Sequence, residues 1–233
     1  MNISDLPFQV KERYLDYLLG FLTENKIAKF EHTIQHRTKK LTIVLENIYQ
    51  SHNASAVLRS CDCFGIQDVH VIENRYAFSP NPDIVLGSLK WLSLHRYQHP
   101  SAAISDCISN LKNKGYTIVA TTPHEHDVNI QDLPVDGKIA LVFGTELKGL
   151  SDEMLAMADS YMKIPMVGFT ESLNISVSAA ISLFYLSGKI RSETNDWKLS
   201  PEEALETKIC WAKSVVKTPD LIEKNFFRNE EKI

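Results

Sequence analysis

Between residues 41 and 190, short apolar runs rich in β-branched side chains alternate with helix-patterned segments. That alternation restricts the chain to an α/β fold with a mainly parallel sheet. LTIVLENI (41–48), DVHVIE (68–73), YTIVATT (116–122), KIALVFG (138–144) and YMKIPM (161–166) read as strands, and KWLSLHRY (90–97) as one more. Residues 53–65 read as a helix capped by Asn53 and closed by Gly65, and Ser101–Lys114 as a helix stopped by Gly115. Residues 172–190 pattern as a long, mostly apolar helix.

The flanks differ from this core. Leu15, Leu18, Leu19 and Leu22 recur at helical spacing within residues 1–40, and a basic stretch follows them. After a polar break, Ser200-Pro201-Glu202-Glu203 supplies an N-cap, a proline at the first helical position and first-turn acids, so a helix starts there. The expected organisation is a helical, basic N-terminal extension (1–40), an α/β core (41–190) and a helical C-terminal extension (191–233).

A net charge of -4 argues against indiscriminate binding to nucleic acid. From Lys26 to Lys40, however, only Glu31 opposes Lys26, Lys29, Arg37, Lys39 and Lys40, so this stretch is either a solvated helix face or a local basic patch. No apolar run reaches the length of a membrane span, and the N-terminus lacks the basic-then-apolar order of a secretory signal. A cytoplasmic protein without membrane contact is expected. Cys61 and Cys63 form a CxC with no second ligand pair, and Cys107 and Cys210 stand apart. Reduced thiols are therefore expected, and no metal site.

Chemistry concentrates where strands end, because ligands of open α/β sheets lie beyond the carboxyl ends of strands. VFGTELKGLS (142–151) spaces Gly144 and Gly149 like the glycines of a phosphate-cradling loop, yet Leu150 stands where the phosphate-binding Lys is needed, so no hydroxyl follows a lysine there. YTIVATT ends in Thr121-Thr122-Pro123, and IPM runs into VGFTESLN (167–174). Glycine-rich ends of this kind let backbone amides and carbonyls approach a base or a ribose; each alone also reads as an ordinary turn. No GxGxxG is present. Asn53 and Arg59 border one cleft or, read singly, are a cap and a surface arginine.

Taken in order, the blocks NxxAxxR (53–59), FGxExxGL (143–150) and IPMxGxxxSLNxSxxA (164–179) resemble the SpoU/TrmH branch of the SPOUT superfamily, over about residues 38–190. Within that branch the chain looks most like the tRNA guanosine-2′-O-methyltransferases that act on the D-loop. The resemblance implies a deep C-terminal trefoil knot near 140–185 and S-adenosylmethionine as cofactor. It implies a homodimer packed through the knot, with active sites drawn from both chains. It assigns catalysis to Arg59, Asn53, Glu146, Ser172 and Asn174, and a cofactor pocket to Thr121, Gly144, Ile164 and Leu173. Arg59 is either the general base or a phosphate and alkoxide stabiliser; a guanidinium rarely gives up its proton. Arg37, Lys39 and Lys40 are the implied RNA contacts. Ribosomal RNA as the acceptor, or a non-catalytic RNA-binding assembly factor, are the alternatives.

Overall fold

The computed structural model describes residues 3–75, 78–85, 87–123, 127–146 and 148–230. Its backbone divides into two compact units, one built from the chain up to Arg37 together with the chain from Lys198, the other from Thr38–Trp197. The two terminal segments thus share one unit. That unit contains α1 (Phe8–Leu19), α2 (Glu24–Ile34), α8 (Pro201–Val215) and α9 (Pro219–Glu230). The Ser200 motif acts as read: Glu203 N donates to Ser200 Oγ (3.2 Å) and Ser200 N to Glu203 Oε2 (2.9 Å), a reciprocal capping box. Tyr14 packs on Phe226 and Phe227, with ring centroids 4.9 and 5.4 Å away. The buried Lys11 ammonium reaches Glu202 and Glu206, each at 2.6 Å, so its charge is compensated.

The larger unit holds β1 (Leu41–Glu46), α3 (Ser51–Cys63), β2 (Asp68–Ile72), α4 (Pro82–Val85), β3 (Ser93–Tyr97), α5 (Ala103–Asn113), β4 (Tyr116–Thr121), β5 (Val128–Asn129), β6 (Lys138–Phe143), α6 (Asp152–Met157), β7 (Ser160–Lys163) and α7 (Ile175–Glu193). All pairings are parallel, in the order β3-β2-β1-β6-β4-β7-β5. Both sheet faces are covered, which is why β1 reads as an unbroken apolar run. Leu41, Ile43 and Leu45 pack with Val57, Leu58, Leu183 and Leu186 of α3 and α7. Val44, Ala140 and Val142 point the other way, to Ile104, Ile108, Leu111 and Met154 of α5 and α6. Among the described residues no helix is long and apolar enough to cross a membrane.

Four differences from the sequence reading have local causes. α3 starts at Ser51 with Gln50 at the cap position, so Asn53 lies in the first turn and does not cap the helix. β5 is only two residues long, too short for periodicity to register. α6 is a six-residue helix started by Ser151, whose side chain accepts from Met154 N. The strand read over 161–166 stops at Lys163, leaving Ile164 in a loop.

One buried polar cluster makes the larger unit acid-sensitive. His70 stacks on His95 (centroids 4.6 Å apart) and its Nδ1 lies 3.0 Å from the Tyr97 hydroxyl, which also accepts from Asn110 Nδ2 at 2.7 Å. Burial, reinforced by His95, pushes the His70 imidazole down to about 3. The unfolded chain therefore binds a proton that the folded chain refuses between roughly pH 6.5 and 3, and stability falls as pH falls through that window. From pH 7 to 4.5 the expected loss is about 2–3 kcal/mol. Urea midpoints measured across this range should drop for the native protein and flatten for His70→Gln; equal slopes would contradict the assignment.

Candidate active site

Glycine geometry sets the loop after β6. Thr145 N donates to Gly149 O and Gly149 N to Thr145 O, each at 2.9 Å, closing a tight turn in which Gly149 has φ +65°. Gly144 packs so closely that a Cβ would sit inside the Gly149 carbonyl and the Leu150 amide nitrogen. The loop's Leu147 lies outside the described residues. Ser151 N then donates to Glu46 Oε2 at the end of β1 (3.0 Å), tying the loop's exit to the neighbouring strand.

This loop is the shared wall of two cavities. The first, about 370 Å³, opens at the carboxyl ends of β4, β6 and β7. Thr121, Gly144, Ile164 and Leu173, the four expected cofactor residues, all line it, as do Glu146 and Ser172. Thr121 Oγ1 donates to Val142 O (2.7 Å), so its hydroxyl hydrogen is spent on the sheet. The second cavity, about 410 Å³, lies between the end of β1, the start of α3 and the far side of the loop.

An amide–carboxylate cluster stands where the two meet. Asn53 Nδ2 donates to Glu146 Oε1 (2.6 Å) and to Gln50 Oε1 (2.9 Å). Asn174 Nδ2 donates to the same Glu146 oxygen (2.7 Å) and to Asn53 Oδ1 (3.2 Å). Asn174 also caps α7, its Oδ1 accepting from Ser176 N (2.9 Å) and Ser176 Oγ (2.6 Å). Residues 121 positions apart in sequence are thus locked to one carboxylate, and the cap fixes the orientation of the Asn174 amide.

Arg59 is not brought to this cluster. It is exposed on α3, lines neither cavity, and has no hydrogen-bond or ion-pair partner among the described residues. Of the three expected RNA contacts, two are buried within this chain. Arg37 is 2 % exposed and stacks on Trp211 at 5.3 Å, and Lys40 is 5 % exposed and ion-paired with Asp196. Neither holds its charge out to a phosphate; Lys39, half-buried, remains. The second cavity escaped the sequence reading because Glu46, Tyr49 and Arg75 lie outside the three short motifs and carry no chemical signature of their own.

A parallel α/β sheet with a glycine-tight loop and an amide–carboxylate cluster at its carboxyl edge is a nucleoside-binding architecture with polar groups held ready at a reacting centre. The family model described as SpoU rRNA Methylase family matches residues 40–184, and the chain belongs to that family. It is 43% identical over 206 residues to a tRNA (guanosine(18)-2'-O)-methyltransferase of Borreliella burgdorferi, covering 88% of this chain and 93% of that one. It is 36% identical over 162 residues to the enzyme so named in Thermus thermophilus, covering 70% and 81%. Among solved structures, the TrmH/SpoU tRNA modifying enzyme of A. aeolicus superposes with a TM-score of 0.72 at 31% identity, covering 83% of this chain and 98% of that one. The SpoU methyltransferase AviRb of Streptomyces viridochromogenes, solved with AdoMet, has a TM-score of 0.58 at 25% identity over 70% and 62%.

Proposed function

We propose that this chain is an S-adenosylmethionine-dependent ribose 2′-O-methyltransferase acting on guanosine 18 of tRNA. The observation that carries the reading is the convergence of the Asn53 and Asn174 amides on Glu146, which lines the same cavity as Thr121, Gly144, Ile164 and Leu173. The names and coverage of the most similar relatives supply the acceptor.

The first cavity fits the cofactor. The loop approach permitted only by glycine at 144 leaves main-chain groups facing the space, and apolar Ile164, Leu173 and Leu150 flank it as an adenosine requires. S-adenosylmethionine, when bound, would supply the methyl group on its cationic sulfur to a ribose 2′-oxygen, leaving S-adenosylhomocysteine, while the hydroxyl proton passes to a base or to solvent. Within this chain Glu146 holds the two asparagine amides in register, and these are positioned to orient the acceptor ribose. Arg59 supplies a cation to the acceptor phosphate or to charge developing on the 2′-oxygen.

Because Arg59 stands away from its own chain's cluster, the active site needs a second copy. An exposed apolar face supports a second copy there: Val177, Ile181, Phe184 and Tyr185 of α7 are 44, 39, 69 and 37 % exposed, Phe184 meeting only the edge of Phe64 among the described rings, and Val167 and Phe169 of the preceding loop are fully exposed. These positions share one face at 3.6-residue spacing. A homodimer packed through this face, and a knotted arrangement of the chain near 140–185, complete the reading. Phe184→Glu would bury an unpaired charge there and is expected to weaken dimerisation by about 100-fold or more. Sedimentation equilibrium measures this directly, and an unchanged dimer would remove α7 from the interface.

Methyl transfer to unmodified tRNA and ribosomal RNA transcripts, run side by side, tests the function. Transfer to tRNA supports it; transfer to ribosomal RNA alone, or RNA binding without transfer, moves the assignment to one of the alternatives.

A further inference from the structure

The second cavity holds an oddity that the cofactor site does not explain. Glu46, at the end of β1, is 2 % exposed and lines this cavity. Its Oε2 accepts from Ser151 N, while its Oε1 is buried with no hydrogen-bond partner among the described residues. A carboxylate oxygen left unpaired in a protein interior is costly and calls for a ligand or a structural cause. The Ser151 contact pins the carboxylate, so it cannot swing out to water. Asn47, at φ +53°, turns the chain sharply after Glu46 and leaves Tyr49 74 % exposed at the cavity's mouth. Arg75 and Lys148 line the same cavity without an ion-pair partner among the described residues. Glu146 lines both this cavity and the cofactor cavity, and Asn53, bonded to it, lines this one.

We propose that this cavity receives the acceptor guanosine and that the Glu46 carboxylate selects its base. The inference rests on the methyltransferase reading above and extends it to base recognition. A pinned carboxylate accepts from guanine N1–H and the exocyclic N2 amine. Adenine presents a lone pair at N1 and no donor at C2, so it is repelled by the same oxygen. The exposed Tyr49 ring gives the extruded base a stacking surface, and Arg75 and Lys148 meet flanking phosphates. The ribose then lies toward Asn53 and Glu146, on the side that faces the cofactor cavity.

Glu46→Gln tests the assignment. The glutamine oxygen retains the Ser151 bond and its NH2 takes the unpaired position, turning an acceptor into a donor. The native protein should methylate a transcript with guanosine at position 18 at least roughly tenfold more efficiently (kcat/KM) than one with adenosine there. Glu46→Gln should erase or reverse that ratio while its affinity for S-adenosylmethionine, measured by calorimetry, stays within about twofold. As a readout independent of transfer, guanosine 5′-monophosphate should bind the native protein more tightly than adenosine 5′-monophosphate, and Tyr49→Ala should weaken both. A guanosine preference that survives Glu46→Gln overturns the inference and leaves the methyltransferase reading intact. Equal transfer by the native protein to both transcripts does the same, whether or not the variant folds. No transfer to any transcript removes the methyltransferase reading and this inference with it.

Discussion

Gly144→Ala is expected to abolish S-adenosylmethionine binding. The added methyl meets the Gly149 carbonyl and the Leu150 amide, which are backbone atoms in a turn closed by two hydrogen bonds, so no side-chain rotation relieves the overlap. Relief requires the loop to move away from β6, and with it the wall of the cofactor cavity. Overpacking typically costs about 1–3 kcal/mol where side chains adjust; here backbone must adjust, and a loss of roughly 100-fold or more in affinity is expected. Two other glycines serve as controls. Gly149→Ala meets no neighbour but must hold a left-handed backbone at φ +65°, a cost of about 1 kcal/mol. Gly137→Ala has both open space and ordinary backbone, and should bind as the native protein does. Calorimetric titration of the three variants should rank them in that order. A Gly144→Ala protein that binds normally would mean that this loop does not form the cofactor wall.

The second large effect concerns Arg59. Its exposure and its lack of partners among the described residues mean that Arg59→Ala leaves stability and cofactor affinity near native values. Turnover should nevertheless fall by about 10²–10³, the scale of removing one charge-stabilising donor from a reacting centre. Arg59→Lys keeps a point charge and should retain part of the activity if electrostatics suffices, and little if the planar fork must hold a phosphate in two places. Mixing variants determines which chain supplies the residue. Arg59→Ala and Glu146→Ala are each expected to be inactive alone. If every site takes Arg59 from one protomer and Glu146 from its partner, equal mixing regenerates about a quarter of native activity, since half the dimers are mixed and each has one intact site. If both residues act within one chain, mixing restores nothing.

The legible parts of this molecule were those written in local pattern. Parallel strands buried on both faces produce continuous apolar runs, so β1, β2, β4 and β6 could be found with their approximate ends. The Ser200 capping box was equally plain, because its residues are adjacent in sequence. Four residues expected at the cofactor site, scattered from Thr121 to Leu173, came from family resemblance, and the fold lines one cavity with all of them. What sequence did not convey was burial produced at a distance. Arg37 and Lys40 look like a basic patch until Trp211 and Asp196 arrive from the other end of the chain to cover and pair them. The stray oxygen of Glu46 was invisible for the same reason, since only the fold removes it from water while giving it no donor among the described residues.

The central claim is tested most directly by incubating the protein with labelled S-adenosylmethionine and an unmodified tRNA transcript, then digesting the RNA with alkali. A 2′-O-methyl group blocks attack by the neighbouring hydroxyl, so a methylated ribose survives as an alkali-resistant dinucleotide. The account predicts one labelled dinucleotide whose 5′ residue is guanosine 18, and none from a transcript carrying 2′-deoxyguanosine at that position. Label recovered only in mononucleotides would place the methyl group on a base and contradict the account.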